Sequence, residues 1–502
     1  MCCDKKHILE TRHGNYIGKV ERSGVISFKG IPYAKPPVGE LRWKAPQSLD
    51  FGELTSLADA YPPAPIQPDM PEHLAKRLGE STHRPQSEDC LYLNLWTWDL
   101  DTPKKAILFW VYGGSFTIGD ASRIQSRGER FVANHPDIVV VAVNYRLGVF
   151  GSLNVSVLGA GEEYADSCNL NLLDQQAALK WLHENAEAFG GDAESITMYG
   201  HSAGSNSISH HLAIPESAKL FKRAICQSSF LVGHGTVALE ESAEFAKKFF
   251  NAAGIETMAQ ALKASANYLA EVQEKLCGLA FTPPVCDMRT VLPSELERIA
   301  CGELVGKQIL VGNSTGEYDQ LFNGKTDEEA RKLAQKRSVD RLGNDPKWLK
   351  GYCELHPEMD EALAINSASN ELCMTYGGEI QARALSNHNE VRKFLFSWAD
   401  PATNSRAPHG APCPFVFGND LPEVAPQGLY EKTQSVWASF IRTGEVDVEG
   451  VPEWPLYTNN GGAVMEMNEN WQLLDNPMEK DYIYWAPVFP EIKCIKGATD
   501  ER

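Results

Sequence analysis

Unbroken apolar runs alternate along this chain with stretches of helical spacing, and their order predicts the architecture. The run "KKAILFWVYGG" (104–114) is an apolar strand that ends in glycines, and "HPDIVVVAVNYRLG" (135–148) is β-branched and continuously apolar. Runs of that kind belong to strands covered on both faces. In "LLDQQAALKWLHENAEAFGGD" (172–192), Leu172, Leu173, Gln176, Ala177, Leu179 and Trp181 fall at helical spacing, and Gly190-Gly191 closes the helix. "ESITMYG" (194–200) is a further short strand, followed at once by the helix-compatible "SAGSNSISHHLA" (202–213). Strands alternating with helices predict an α/β fold, a mostly parallel sheet with helices on both faces. Residues from about 235 to 300 and 325 to 390 differ, being rich in Ala, Glu, Lys and Leu with few buried-strand signals. They read as helices that cover one end of the sheet and line a pocket there. No repeat or low-complexity linker divides the chain, so one large domain, 1–502, with insertions is the economical reading.

Composition narrows the function classes. With 43% hydrophobic and 23% charged residues, the 502-residue chain is ordinary for a globular protein. A formal net charge of −19 without a basic block argues against nucleic acid and anionic membrane surfaces, and mildly disfavours strongly anionic substrates. No segment approaches the ~18 uninterrupted apolar residues that span a bilayer. The start, "MCCDKKHILETRHG", has no apolar core for a secretory signal. Twelve scattered cysteines show no CxxC or Cys/His metal spacing. A reduced, cytoplasmic setting is expected, with Cys2 and Cys3 an undistinguished terminus rather than a lipidated one.

The sharpest motif is Gly200-His201-Ser202-Ala203-Gly204, a G-x-S-x-G with a strand entering and a helix leaving. The turn is too tight for side chains on either side of the serine, which explains the glycines, and it holds Ser202 at the mouth of the helix. Ser202 is therefore the candidate nucleophile; the alternative is a serine that caps a helix. A serine hydroxyl needs a base, and the base an orienting carboxylate, in the chain order Ser, acid, His. Downstream, "KQILVGNSTGEYDQLF" (307–322) offers Glu317 and Asp319 in a polar loop after a strand, and "NSRAPHGAPCPFVFG" (404–418) offers His409. His210 and His211 follow the serine too closely on its own helix to act as base, and read as surface or packing residues.

From about residue 13 to 485 the chain resembles the type-B carboxylesterases, the α/β-hydrolase family that includes cholinesterases, lipases of similar size and bacterial esterases. The resemblance rests on an ordered set: "FKGIPYAKPPVGELRW" (28–43), "SEDCLYLNLW" (87–96), "NYRLGVFG" (144–151), "DQQAALKWLHENAEAFGGD" (174–192), "GHSAG" (200–204), "LFKRAICQSS" (220–229), "HGAPCPFVFG" (409–418) and "PEWPLY" (452–457). It implies an α/β-hydrolase fold and a serine esterase of bacterial or esterase type. In it Ser202 matches the nucleophile, His409 the base and Glu317, five residues beyond Gly312, the triad acid in preference to Asp319. "FWVYGGSFTIG" (109–119) corresponds to the oxyanion-hole loop, so the implied donors are the backbone N–H groups of Gly114, Ser115 and Ala203. The implied chemistry is two-step acyl transfer without metal or cofactor, on small to medium, largely uncharged esters, by a monomer or homodimer. Arg42 with Glu88 and Arg146 with Asp174 resemble the family's buried ion pairs, and Ser228 a supporting hydrogen-bond donor near the triad.

Four features depart from the family pattern or bear on specificity. Pro412 stands where an acidic residue often follows the "HG". Cys90 matches a half-cystine whose usual partner position reads Pro65, so that disulfide cannot form. No tryptophan lies between Gln67 and Asp89, against choline-ester specificity by cation–π attraction. Sequons at Asn154 and Asn313 read as coincidental, because a glycan on Asn313 would crowd Glu317. The same triad acting on amides, carbamates or lactones stays open as an alternative. A silent adhesion or scaffold homologue is more remote, since all three triad positions are filled.

Overall fold

The apolar runs pair into one eleven-stranded sheet in a computed structural model of the chain, which describes residues 7–52, 54–69, 84–229, 236–278, 282–319, 328–329, 332, 347–403 and 405–488. Cys2, Cys3 and parts of the 67–89, 235–300 and 325–390 stretches lie outside the described residues. The strands of this sheet are β1 (Lys19–Val20), β2 (Ile26–Pro32), β3 (Tyr92–Thr97), β4 (Lys105–Val111), β5 (Ile138–Val143), β6 (Gly191–His201), β7 (Arg223–Gln227), β8 (Gln308–Ser314), β9 (Glu390–Phe396), β10 (Ala463–Met467) and β11 (Gln472–Asp475). Their spatial order is β11-β10-β9-β8-β7-β6-β4-β5-β3-β2-β1. From β10 to β5 every neighbouring pair is parallel, and the pairs at both ends are antiparallel. Every residue of β4 and β5 is buried, as their unbroken apolar sequence requires.

After β4 the chain adds β5 on one side, then returns to place β6 on the other. Such a reversal opens a crevice beyond the carboxyl ends of the strands, the standard site for ligands in open α/β sheets. Register keeps those ends level, with Gly200 beside Val111 on one side and Cys226 on the other, and Cys226 beside Val311.

Helix α1 (Leu170–Asn185) continues in a 3-10 turn, and Gly190 closes it in the left-handed region (φ +70°). Its buried face differs in part from the expected one. Leu172, Gln176, Leu179 and Trp181 are buried as the spacing predicts, but Leu173 and Ala177 are only half-buried, and Asp174 and Gln175 are buried beside them. The polar residues go inward because each has a partner: Asp174 receives Arg146 Nη2 and Nε at 2.7 and 2.8 Å, and Gln175 reaches Ser207 and His211. Arg42 forks onto Glu88 with both bonds at 2.6 Å and also donates to the carbonyls of Ala261 and Ala264. Charges this deep persist only when paired, so removing one partner costs ~3–5 kcal/mol. His210 and His211 are both fully buried packing residues and not surface ones, bonded to Glu295 and to Ser217 and Gln175.

The helix-rich stretches close two hydrophobic clusters of their own. α3 (Leu239–Ala252) and α4 (Ala266–Cys277) pack around Trp43 and Phe249. α5 (Lys347–Leu355), α6 (Glu361–Asn370) and α7 (Tyr376–Ser386) gather around Tyr352 and Trp485. A parallel pairing of Val237–Ala238 with Val285–Cys286 adds a small strand pair that the composition of 235–300 concealed. Among the described residues no helix is long and apolar enough to cross a membrane, and the nine described cysteines are free. Cys90, one of the free cysteines, lines one small cavity together with Pro65.

Candidate active site

The elbow is built by sterics. β6 runs into Ser202, and α2 (Ala203–Ala213) starts on the next residue. A Cβ on Gly200 would strike the backbone of Gly204 and Ser205, and one on Gly204 the carbonyl of Val111, so only glycine fits at either position. Ser202 itself is held at φ +58°, ψ −125°, a strained conformation that its neighbours impose, and is 7% exposed. Its N–H donates to Gln227 O at 3.0 Å, which ties the elbow to the end of β7.

The loop leaving β4 lies directly on that elbow. A Cβ on Gly113 would come within 2.5 Å of His201 O and 2.7 Å of Ser202 Cβ. The next carbonyl, Gly114 O, accepts from Thr117 N and Ile118 N at 2.9 Å each, closing a tight turn. A trans peptide sets Ser115 N–H opposite to Gly114 C=O, so a carbonyl turned into that loop leaves the Ser115 N–H directed away from it. Ser115 and Phe116 pay for this turn with left-handed backbones, φ +58° and +56°. Within 112–119 only Gly114 and Ser115 are half-buried, the rest being buried. The N–H groups of Gly114, Ser115 and Ala203 donate to no carbonyl among the described residues; that of Ala203 belongs to the first turn of α2, where no intrahelical acceptor exists.

Glu317 follows β8 and is 3% exposed. Its Oε1 accepts from Ser314 N (2.8 Å), Ser228 Oγ (2.7 Å) and Asn313 Nδ2 (3.4 Å), leaving Oε2 for His409 Nδ1 at 2.5 Å. A carboxylate only accepts, so His409 carries a proton on Nδ1, and in the neutral ring the lone pair is on Nε2. Asp319 is engaged elsewhere, by Arg406 at 2.8 and 3.0 Å and by Asn370 at 2.9 Å. Burial alone would raise its pKa, but Arg406 holds it below the ordinary carboxylate value. The imidazole of His409 stacks on Tyr318, centroids 6.2 Å apart, and its other neighbour is His201 at 4.3 Å. His201 immediately precedes Ser202, so the His409 imidazole stands at the elbow. Gly410 lets it approach: φ is +85°, and a Cβ there would sit 3.1 Å from His201 Cε1.

Of the residues expected from sequence, Glu317 and His409 are in direct contact, and the Gly113–Ser115 loop meets the Ser202–Ala203 elbow. Asn154 and Asn313, both buried, are closed to glycosylation. Pro412 opens the helical turn Pro412–Phe417, where its missing N–H costs nothing. Three contributors were not foreseen: His201, Tyr318 and Arg406. Burial, with His409 and Arg123 beside it, holds His201 well below the ordinary histidine pKa, so it stays neutral next to the base. Its position beside the serine was visible in sequence; its ring contact with a residue far downstream was not. Among the described residues one group, His356, Glu371 and Asp481, brings possible metal-ligating atoms within 4.8 Å of one another. It lies apart from the elbow, and hydrogen bonds from Tyr352, Trp485 and within the group engage these atoms.

The geometry agrees with what the chain is similar to. Residues 5–485 match the model of the carboxylesterase family. The para-nitrobenzyl esterase of Bacillus subtilis is 33% identical over 471 residues, covering 90% of this chain and 92% of the relative. The liver carboxylesterase of Sus scrofa is 28% identical over 540 residues, covering 95% and 92%. Among solved structures, a carboxylesterase of Geobacillus stearothermophilus superposes with a TM-score of 0.84 at 32% identity, covering 95% of this chain and 99% of that one.

Proposed function

The chain belongs to the carboxylesterase family, a bacterial esterase type rather than a cholinesterase, and from that premise we propose a serine esterase using Ser202, His409 and Glu317. Residues 1–502 form one catalytic unit in this reading, acting on small to medium, largely uncharged carboxylic esters. The free cysteines are in keeping with a reducing, cytoplasmic setting. The observation that carries the mechanism is the 2.5 Å contact between Glu317 and His409, with the histidine packed on the residue before Ser202.

Ser202 Oγ attacks the ester carbonyl carbon while its proton passes to His409 Nε2, and the carbonyl π pair moves to oxygen. The N–H groups of Gly114, Ser115 and Ala203 meet that oxyanion, each worth ~3 kcal/mol of transition-state stabilisation. Collapse breaks the bond to the alcohol, which leaves with the proton from His409. Water, deprotonated by His409, then attacks the acyl carbon; collapse breaks its bond to Ser202 Oγ, which takes the proton back from His409 as the carboxylic acid leaves. Glu317 fixes the tautomer throughout and stabilises the imidazolium, held in place by Ser228 and Ser314 N–H.

Hydrolysis of p-nitrophenyl butyrate tests this. The protein turns it over, and Ser202→Ala lowers kcat by at least about a thousandfold. Failure to hydrolyse short p-nitrophenyl esters, or full activity in Ser202→Ala, defeats the proposal.

A further inference from the structure

We propose that Thr282 is a positioning residue of the esterase: it fixes the backbone that presents the oxyanion donors and couples it to the helix-rich pocket segment. The proposal rests on the acyl-transfer reading above and adds a residue outside the triad and the donor loop. Two successive carbonyls of the loop are held from one residue. Thr282 N donates to Ser115 O at 3.1 Å, and Thr282 Oγ1 donates to Phe116 O at 3.1 Å. Thr282 Oγ1 also lies 3.3 Å from Thr117 Oγ1.

These contacts fall where the loop is most strained, because Ser115 and Phe116 are its two non-glycine residues with left-handed backbones. Left-handed non-glycine residues persist only where surrounding bonds over-determine them. The peptide plane before Ser115 is set by Gly114 O within the turn, and the plane after it by the bond from Thr282 N. The Ser115 N–H lies in the first plane, and the bond from Thr282 N holds the second, so the left-handed turn between them is kept from relaxing and carrying that N–H away. Phe116 O has a second donor, Gly148 N at 2.7 Å, so Thr282 Oγ1 completes a pair there.

Thr282 can hold the loop because its own segment is anchored. Asn169 exchanges two bonds of 2.8 Å with Val285, and Ser152 Oγ donates to Pro283 O at 3.3 Å. Val285 and Cys286 also pair with Val237 and Ala238. The segment following α4 is thus braced against the residues that lead into α1 and α3 and delivers one residue to the loop. A donor that meets the transition-state oxyanion must be placed before the reaction, so loosening it weakens transition-state binding more than substrate binding.

The test is Thr282→Val, which keeps the shape but removes the hydroxyl, beside Thr282→Ser, which restores it. Steady-state kinetics on p-nitrophenyl butyrate are paired with inhibition by an aryl trifluoromethyl ketone, whose carbonyl carbon bonds to Ser202 Oγ and leaves its oxygen as an oxyanion. Thr282→Val lowers kcat and raises the ketone inhibition constant, each about tenfold, with KM within about twofold, and Thr282→Ser stays near the parent in all three. Thermal unfolding confirms that both variants are folded; should the valine variant melt early, Thr282→Ala carries the same expectation. Parental kcat and parental ketone affinity in the hydroxyl-less variant overturn the role of Thr282, as does a loss that serine fails to restore. Retained activity in Ser202→Ala is the separate result that overturns the underlying mechanism.

Discussion

Ser115 is the residue on which the donor loop departs most from easy backbone chemistry. A left-handed L-residue costs about 1–2 kcal/mol, which glycine avoids while losing about 0.5–1 kcal/mol through its freer unfolded chain. Ser115→Gly should therefore change folding stability by no more than about 1.5 kcal/mol. Its side chain stands in one of the two half-buried positions of the loop, beside the donors of the proposed mechanism. Ser115→Gly is expected to raise the rate on bulky esters relative to slim ones, read as kcat/KM on a matched p-nitrophenyl ester series. Unchanged relative rates contradict a role for this side chain in selecting substrate. At this scale the sequence was readable where chemistry is tied to a turn. The glycines around Ser202 implied an elbow before any coordinates. The choice between Glu317 and Asp319 was not readable from the residues alone, because both stand in one polar loop after one strand. What separates them is three-dimensional: Arg406 occupies Asp319, whereas Ser228 and Ser314 leave one Glu317 oxygen for His409.

In the proposed mechanism the working element is the junction of two loops, one leaving β4 and one leaving β6. They approach closely at Gly113, where any Cβ would press on His201 O and Ser202 Cβ. Gly113→Ala must push the loops apart and move the donors off the nucleophile. It should lower kcat by about a hundredfold or more. The same substitution at Gly428, in the first turn of α8 (Gln427–Thr443), meets nothing within 4 Å. It should leave activity intact and stabilise by up to about 1 kcal/mol. Equal activity in the two variants would show that loop contact is not needed. The strands were legible because burial on both faces writes itself as an unbroken apolar run. α1 was legible as a helix but only partly in its orientation. Its inward face also carries Asp174 and Gln175; the resemblance implied the pair of Asp174 with Arg146, but hydrophobic spacing cannot predict that His211 awaits Gln175.

The whole molecule carries a pH signature in its buried titratable groups. Burial, then Arg442, lowers His135 to about 4; burial, then His210, lowers His211 to about 3; His201 is lowered as well. Unfolded histidine binds its proton near 6.5 while these folded ones do not, so stability falls as pH drops below about 6.5. Glu371 acts on the other flank. Burial, then the charge of Asp481, raises it to about 8, so the folded chain keeps a proton that the unfolded chain releases near 4.5. Its contribution is lost as pH rises toward 8. Each group changes stability by about 1.4 kcal/mol per pH unit across its window. The three histidines outweigh the one glutamate below 6.5, so stability should peak near pH 6.5–7 and decline on both sides. Urea midpoints from pH 4.5 to 8.5 check this, and Glu371→Gln should remove the alkaline decline; a midpoint that rises steadily to pH 8 contradicts it. None of this was legible in sequence, where the histidines and Glu371 look like any others.

The central claim is that Ser202 forms a covalent intermediate, and trapping it is the most direct measurement. Diethyl p-nitrophenyl phosphate should react once per chain: Ser202 Oγ bonds to phosphorus, p-nitrophenolate leaves, and its proton passes to His409. Peptide mass mapping should then place the diethylphosphoryl group on Ser202, with stoichiometric p-nitrophenolate release and parallel loss of esterase activity. Label on another residue, or stoichiometric release from Ser202→Ala, would contradict the account.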